Sequence, residues 1–258
     1  MSVSRPHSLN WLFVRGRPAD LTAVSVPPDL RVAVLAPHPD DFDATAATMR
    51  LLQCNGNPIH VAVLTTGWSG VEDSFATPPT PQRKTDIRRE EQRASCKLFG
   101  LPDDRLEFLP LAEDEKAHQL DTPANQEMLD NYLRRVCPDI VFLPHGHDPN
   151  IAHHRTYVMM HRYAVLSKAM TAAFLIRDPK TIEMRADVFT PFDDETAQWK
   201  AGLLRLHLSQ HQRNLNTRRH GFDDRILNVN RLAAQELPGR PQYAETFELE
   251  QFDRADGG

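Results

Sequence analysis

The stretch from Arg31 to Phe42 limits the possible folds more than any other part of this chain. Val32, Ala33, Val34, Leu35 and Ala36 form an unbroken apolar run. Such a run reads as a strand buried on both faces, as found inside a parallel sheet. Pro37 and Pro39 then forbid regular continuation of the strand. His38, Asp40 and Asp41 therefore stand just past its carboxyl end, where open α/β sheets bind ligands. One imidazole and two carboxylates suit zinc or another divalent metal. Without a cation, adjacent aspartates repel one another, and the cluster would be only a capped polar edge of the sheet.

The rest of the chain alternates in the same sense. Ile59–Thr65 is a second β-branched run, followed by the loop composition Thr66–Gly70. Residues 74–85 hold three prolines and several threonines, a surface-loop composition. The pattern predicts helices over Thr85–Phe99 (stopped by Gly100), Asn125–Val136, Arg155–Leu166 and Thr196–Gln210. It predicts strands over Leu106–Leu109, Asp139–Leu143, Ala172–Ile176 and Ile182–Phe189. From Gly239 the tail is polar, with one short apolar stretch near Phe247. Alternation of this kind implies right-handed βαβ units. The expected fold is α/β, a mostly parallel sheet flanked by helices, with a small C-terminal helix and strand extension. Residues 1–30 read as a Pro-rich lead-in with a short helix, and 31–258 as a single domain.

Composition removes several classes of function. A net charge of −5 argues against nucleic acid as a partner, since such binders present a basic face. No apolar run approaches the ~20 residues of a membrane span. The N-terminal residues show no apolar core with a small-residue cleavage site, so no signal peptide is expected. Cys54, Cys96 and Cys137 are odd in number and widely spaced. They fit buried, reduced thiols in a cytoplasmic protein. The glycine-rich dinucleotide and P-loop signatures are absent, so no nucleotide cofactor is expected. Formation of a homo-oligomer is left open.

A second polar cluster, Leu143 to Arg155, follows the strand at Asp139–Leu143. Two clusters at one edge of a parallel sheet can meet in space, because neighbouring strands lie only ~5 Å apart. His145, His147, His153 and His154 compete to supply the missing ligand. His154 is assigned here, because it opens a helix directly and the backbone would hold it. The other histidines are left to loop hydrogen bonding or to support of the ligands.

These residues resemble the PIG-L / LmbE-like family of zinc-dependent N-acetylglucosamine deacetylases. His38-Pro39-Asp40-Asp41 after an apolar strand matches its signature. Thr65–Gly70 resembles its glycine-bearing loop, and Arg88 to Glu91 before Leu98-Phe99-Gly100 its Arg-x-x-Glu helix. His207-Leu208-Ser209-Gln210 resembles its His-x-Ser-Gln element, and Tyr243 to Phe247 its Tyr-Ala-Glu-x-Phe ending. The resemblance implies a Rossmann-like fold and removal of an acetyl or other acyl group from the amine of an N-acylated amino sugar or conjugate. It implies zinc held by His38, Asp41 and His154, Asp40 as general base, and Arg88 facing the substrate.

Two departures stand out. Ile151 to His154 occupy the place of the family's His-x-Asp-His, so Ile151 replaces a histidine that often supports the oxyanion. Asn150, His147 and His153 are candidates to replace it, and Asn150 and His153 are expected at the substrate with Arg88. Phe42 replaces a usual glutamate, and Asp43 to Ala47 replace a glycine-rich helix start. A lost oxyanion donor costs ~3 kcal/mol of transition-state stabilisation. Two alternatives stand beside the deacetylase. One is a metal-binding module with impaired catalysis, and the other is a zinc hydrolase of a different amide or ester.

Overall fold

The computed structural model describes residues 18–167, 172–181 and 183–252. Within them eight strands form one sheet: β1 (Ala19–Asp20), β2 (Val32–Ala36), β3 (Ile59–Val63), β4 (Leu106–Phe108), β5 (Ile140–Pro144), β6 (Ala172–Ile176), β7 (Val188–Phe192) and β8 (Tyr243–Gln251). Their order is β1-β7-β8-β6-β5-β2-β3-β4. All pairings are parallel except those of β8, which runs antiparallel to both β6 and β7. Among the described residues seven α-helices accompany the sheet: α1 (Ala46–Cys54), α2 (Pro81–Phe99), α3 (Pro123–Val136), α4 (Ile151–Ser167), α5 (Asp194–Arg205), α6 (Leu208–Arg218) and α7 (Phe222–Gln235).

Strand β2 behaves as its composition requires. Val32, Val34 and Ala36 enter one core with Phe42, Met49, Phe142, Phe174 and Phe247. Ala33 and Leu35 enter the other, with Leu129, Leu133, Met159 and Met160. A period of two sends alternate side chains into opposite layers, so only an all-apolar strand serves both. β2 lies between β3 and β5. Chain order therefore reverses at the β2/β5 pair, the switch point at which such sheets bind ligands.

Several elements differ from the expected ones. Helix α2 begins at Pro81, four residues ahead of the predicted start, where Thr80 accepts a bond from the Arg83 amide at 3.2 Å. Proline at the first helical position loses no hydrogen bond. The same Thr-Pro device opens α3 at Thr122-Pro123. The predicted helix Thr196–Gln210 is broken after Arg205, with His207 leading into α6. Residues 18–30 form no helix, but pair with β7 through Ala19 and Asp20. Residues 1–17 of the predicted lead-in, and Ile182 of the predicted strand Ile182–Phe189, lie outside the described residues. That strand is found at Val188–Phe192.

The C-terminal segment supplies a strand inside the sheet. In β8, Tyr243, Glu245, Phe247 and Leu249 alternate with Ala244, Thr246, Glu248 and Glu250. Glu245 breaks the apolar pattern, and it is buried against Lys200, Nζ to Oε1 2.6 Å. Burial lowers the Lys200 pKa, and it stays below the ordinary lysine value although Glu245 opposes the shift. Glu245 also accepts from the Ala47 and Thr48 amides at 3.0 and 2.8 Å. A strand at the far end of the chain thus caps the start of α1 with a carboxylate, which the helix dipole favours. Lys200→Met strands that carboxylate, and the expected loss is about 3–5 kcal/mol in urea unfolding. A loss under about 1 kcal/mol would show that the pair does not hold the strand to the helix.

Candidate active site

The turn after β2 is held in an unfavourable shape. Asp40 adopts φ 130°, outside the comfortable range of a non-glycine residue. Such a residue persists only where its surroundings over-determine it. Here the Asp40 amide donates to Gln92 Oε1 at 2.8 Å, and its Oδ2 accepts from Arg88 Nη2 at 2.8 Å. The same Nη2 donates to the Pro39 carbonyl, and Nη1 lies 3.4 Å from Glu91 Oε2. Arg88 is only 2% exposed. Above it passes the loop after β3, where Gly67 has φ +64°. A Cβ there would meet Pro39 Cδ at 3.0 Å and Arg88 Nε at 3.3 Å, so the position demands glycine.

Three donor atoms converge beside Asp40. His38 Nδ1 lies 3.2 Å from Asp41 Oδ2 and 3.2 Å from His153 Nε2, and the last two are 3.6 Å apart. A tetrahedral ion with bonds of ~2.0–2.1 Å places its ligands about 3.3–3.4 Å apart. The donor set of two imidazoles and one carboxylate suits the same ion. These residues could therefore hold a divalent metal. Burial alone would raise the Asp41 carboxyl, but His153 and His38 hold it well below the ordinary carboxylate range. Burial would likewise lower His153, yet Asp41 and Asp148 keep it well above the ordinary histidine value. Asp148 Oδ2 accepts from His153 Nδ1 at 2.7 Å, leaving Nε2 aimed at His38.

The structure brings together His38, Asp40, Asp41, Arg88, Asn150 and His153 on one cavity of about 270 Å³. It does not bring His154 there. His154 is exposed, and its Nδ1 faces the Gly146 carbonyl at 2.9 Å. The third donor position belongs to the neighbouring His153, one residue earlier than expected. Adjacent helical residues point about 100° apart. The buried face of α4 runs through Ala152, His153, Thr156, Met159, Met160, Tyr163 and Ala164, and it excludes His154. His145 faces Glu248 at 3.3 Å and accepts from the His147 amide at 3.0 Å, while His147 is exposed. Asn150 accepts from the Ala152 amide at 3.0 Å and so caps α4.

Sequence reasoning gave no role to two further groups. Asp148 is one, and its place in the same turn as the histidines, five residues before His153, was the available signal. The other is the buried set behind the turn, where His207 Nε2 meets Asp43 Oδ2 at 2.6 Å and Ser95 donates to Asp43 Oδ1 at 2.5 Å. Glu91 accepts from the Ser209 amide and hydroxyl at 2.6 and 2.8 Å. The break after Arg205 is what allows His207 to point inward.

Among solved structures, the fold is similar to N,N'-diacetylchitobiose deacetylase from Pyrococcus horikoshii. Identity is 18% and the TM-score 0.69, over 86% of this chain and 84% of that one. It is also similar to GalB, the 4-carboxy-2-hydroxymuconate hydratase of Pseudomonas putida, at 19% identity and TM-score 0.66, over 89% and 99% of the two chains. A third is the zinc-inhibited form of teicoplanin deacetylase Orf2, at 15% identity and TM-score 0.60, over 87% and 100%. These likenesses are ones of fold, and the fold accompanies more than one reaction. No curated protein matches the chain by sequence. Residues 33–165, just over half of the chain, match the PIG-L family, described as GlcNAc-PI de-N-acetylase, and the chain belongs to that family.

Proposed function

We propose that the protein is a metal-dependent N-deacylase that removes an acetyl or related acyl group from the amine of an amino sugar or sugar conjugate. The convergence of His38, Asp41 and His153 beside the Asp40 carboxylate carries this reading. Family membership and the presence of deacetylases among the structural neighbours support it. Zinc is the ion the donor set suits best. At such a site a divalent ion lowers the pKa of water to ~7 and polarises the acyl carbonyl.

The protein groups then have distinct tasks. Asp40 Oδ2 is committed to Arg88, so Oδ1 is the oxygen left to accept a proton from the attacking water. The same carboxyl returns that proton to the departing amine. Arg88 is a positioning residue, because its guanidinium is occupied by Asp40, Glu91 and the Pro39 carbonyl. Asp148 fixes the ring of His153. With His153 taken as a ligand, Asn150 is the polar side chain closest in sequence to the missing oxyanion donor, and it lines the cavity. Its Oδ1 is used by the cap, which leaves its amide N–H groups for a developing negative charge.

The reading is tested by incubating zinc-loaded protein with N-acetylated amino sugars and conjugates and measuring released primary amine. Asp40→Asn is expected to fold, since an amide of the same shape keeps the backbone bond to Gln92 and an oxygen for Arg88. It should bind zinc and lose roughly 10²–10⁴-fold in turnover. Near-normal turnover in zinc-replete Asp40→Asn would remove Asp40 from the base position. For the metal, His153→Ala is expected to weaken zinc binding by ~10-fold or more, and His154→Ala to leave it unchanged. Elemental analysis after dialysis reads both. Zinc lost from the His154 variant alone would restore the ligand set first expected.

A further inference from the structure

The mouth of the cavity carries charge that the reaction described above does not use. Helix α6 presents Gln210, Arg213, Asn214 and Arg218 to it, and α7 presents Arg225. Positions 210, 213, 214 and 218 share one helix face. Lys180, in the loop after β6, joins them. Among the described residues none of Arg213, Arg218, Arg225 and Lys180 forms an ion pair within 4.0 Å. Arg213 reaches only the Gly70 carbonyl at 3.4 Å. Arg218 reaches only Asn214 Oδ1 and Thr217 Oγ1, each at 3.3 Å. Partial burial, and the charges of Arg225 and Arg213, lower the pKa of Arg218. Among the described residues the cavity is lined by three carboxylates: Asp40 is paired with Arg88, Asp41 faces His38 and His153, and Asp178 lies beside Asp148 and His153.

Four cations without an ion pair, around a cavity whose aspartates are engaged elsewhere, are unexpected on a chain with a net charge of −5. They repel one another, and the contacts above are to neutral oxygens, so the fold gains little from them. A guanidinium presents paired donors that match a phosphate or carboxylate, and an anion between two or three of them relieves the repulsion. Both helices lie outside the region that matches the family model.

We infer that Arg213, Arg218, Arg225 and Lys180 form a subsite for an anionic substituent of the substrate, a phosphate or a carboxylate, held at the mouth while the acylated amine lies at Asp40. The inference rests on the proposed deacylation for the identity of the remaining part of the substrate. Gln210 and Asn214 supply neutral hydrogen bonds beside the anion, and Gly70 leaves room for them. A Cβ at Gly70 would lie 3.3 Å from both Arg213 Nη1 and Gln210 Nε2.

The test compares three sugars on the zinc-loaded protein: N-acetylglucosamine, its 6-phosphate, and N-acetylmuramic acid as the carboxylate. Calorimetric binding and amine release are both measured. At least one charged sugar is expected to bind roughly tenfold to a hundredfold more tightly than the neutral one. The advantage should shrink as sodium chloride rises from about 0.05 to about 0.5 M. It should vanish in Arg218→Gln/Arg225→Gln, with binding of the neutral sugar unchanged. Thermal unfolding checks that this variant is folded, and Arg213→Gln, at an exposed position, provides a second variant. The phosphate outranking the carboxylate, or the reverse, identifies the anion. Equal binding of neutral and charged sugars, or a preference that survives the arginine substitutions, overturns the subsite. Amine released equally from all three overturns the subsite and leaves the deacylase reading intact. An arginine-dependent preference for a charged sugar, with no amine released from any, does the opposite.

Discussion

The turn from His38 to Asp41 cannot hold its own shape. Asp40 sits at φ 130°, a conformation that costs about 1–3 kcal/mol in a non-glycine residue. What stabilises it comes from elsewhere in the chain. Gln92 receives the Asp40 amide, and Arg88 grips both its carboxylate and the preceding carbonyl. One consequence is that Asp40 and Asp41 diverge. Asp41 turns toward His38 and His153, while Asp40 turns toward Arg88. Two adjacent carboxylates thereby acquire different surroundings, the usual basis for giving neighbouring groups different chemical roles.

That arrangement draws on the whole length of the chain. Glu91, on the same helix as Arg88, is satisfied by Ser209. Asp43, just past the turn, is satisfied by His207 and Ser95. The start of α1 is capped by Glu245, itself paired with Lys200. Residues beyond 200 thus serve the geometry of residues 38–48, although they lie outside the stretch that matches the family. The C-terminal strand is central for this reason. It fills the sheet between β6 and β7, and it carries an anchoring carboxylate to the layer beneath the turn.

How much of this could be read from the sequence depended on whether a signal was local. The apolar runs of β2 and β5 each end in a polar cluster, and both the parallel sheet and the meeting of the clusters followed from that. The relation between His153 and His154 was not local. It depends on which face of α4 packs against the sheet, and the period through Ala152, Thr156, Met160 and Ala164 was the evidence that should have decided it. β8 was obscured because Glu245 interrupts its apolar alternation, and its charge makes sense only beside Lys200. The helix break before His207 could not be read either. No proline marks it, and the partner that holds His207 at the break, Asp43, comes from another element. The arginines of α6 and α7 carry no local signal, and only the fold places them around one opening.

The fold alone does not decide the chemistry, since similar folds serve a hydratase as well as deacetylases. The account therefore stands on the ligand set. The most direct measurement is a crystal structure of the zinc-loaded protein with anomalous scattering recorded at the zinc edge. The account predicts one peak, about 2.0–2.2 Å from His38 Nδ1, Asp41 Oδ2 and His153 Nε2. A peak bonded to His154, or one held by Asp148 and Asp178 without His38, would contradict it.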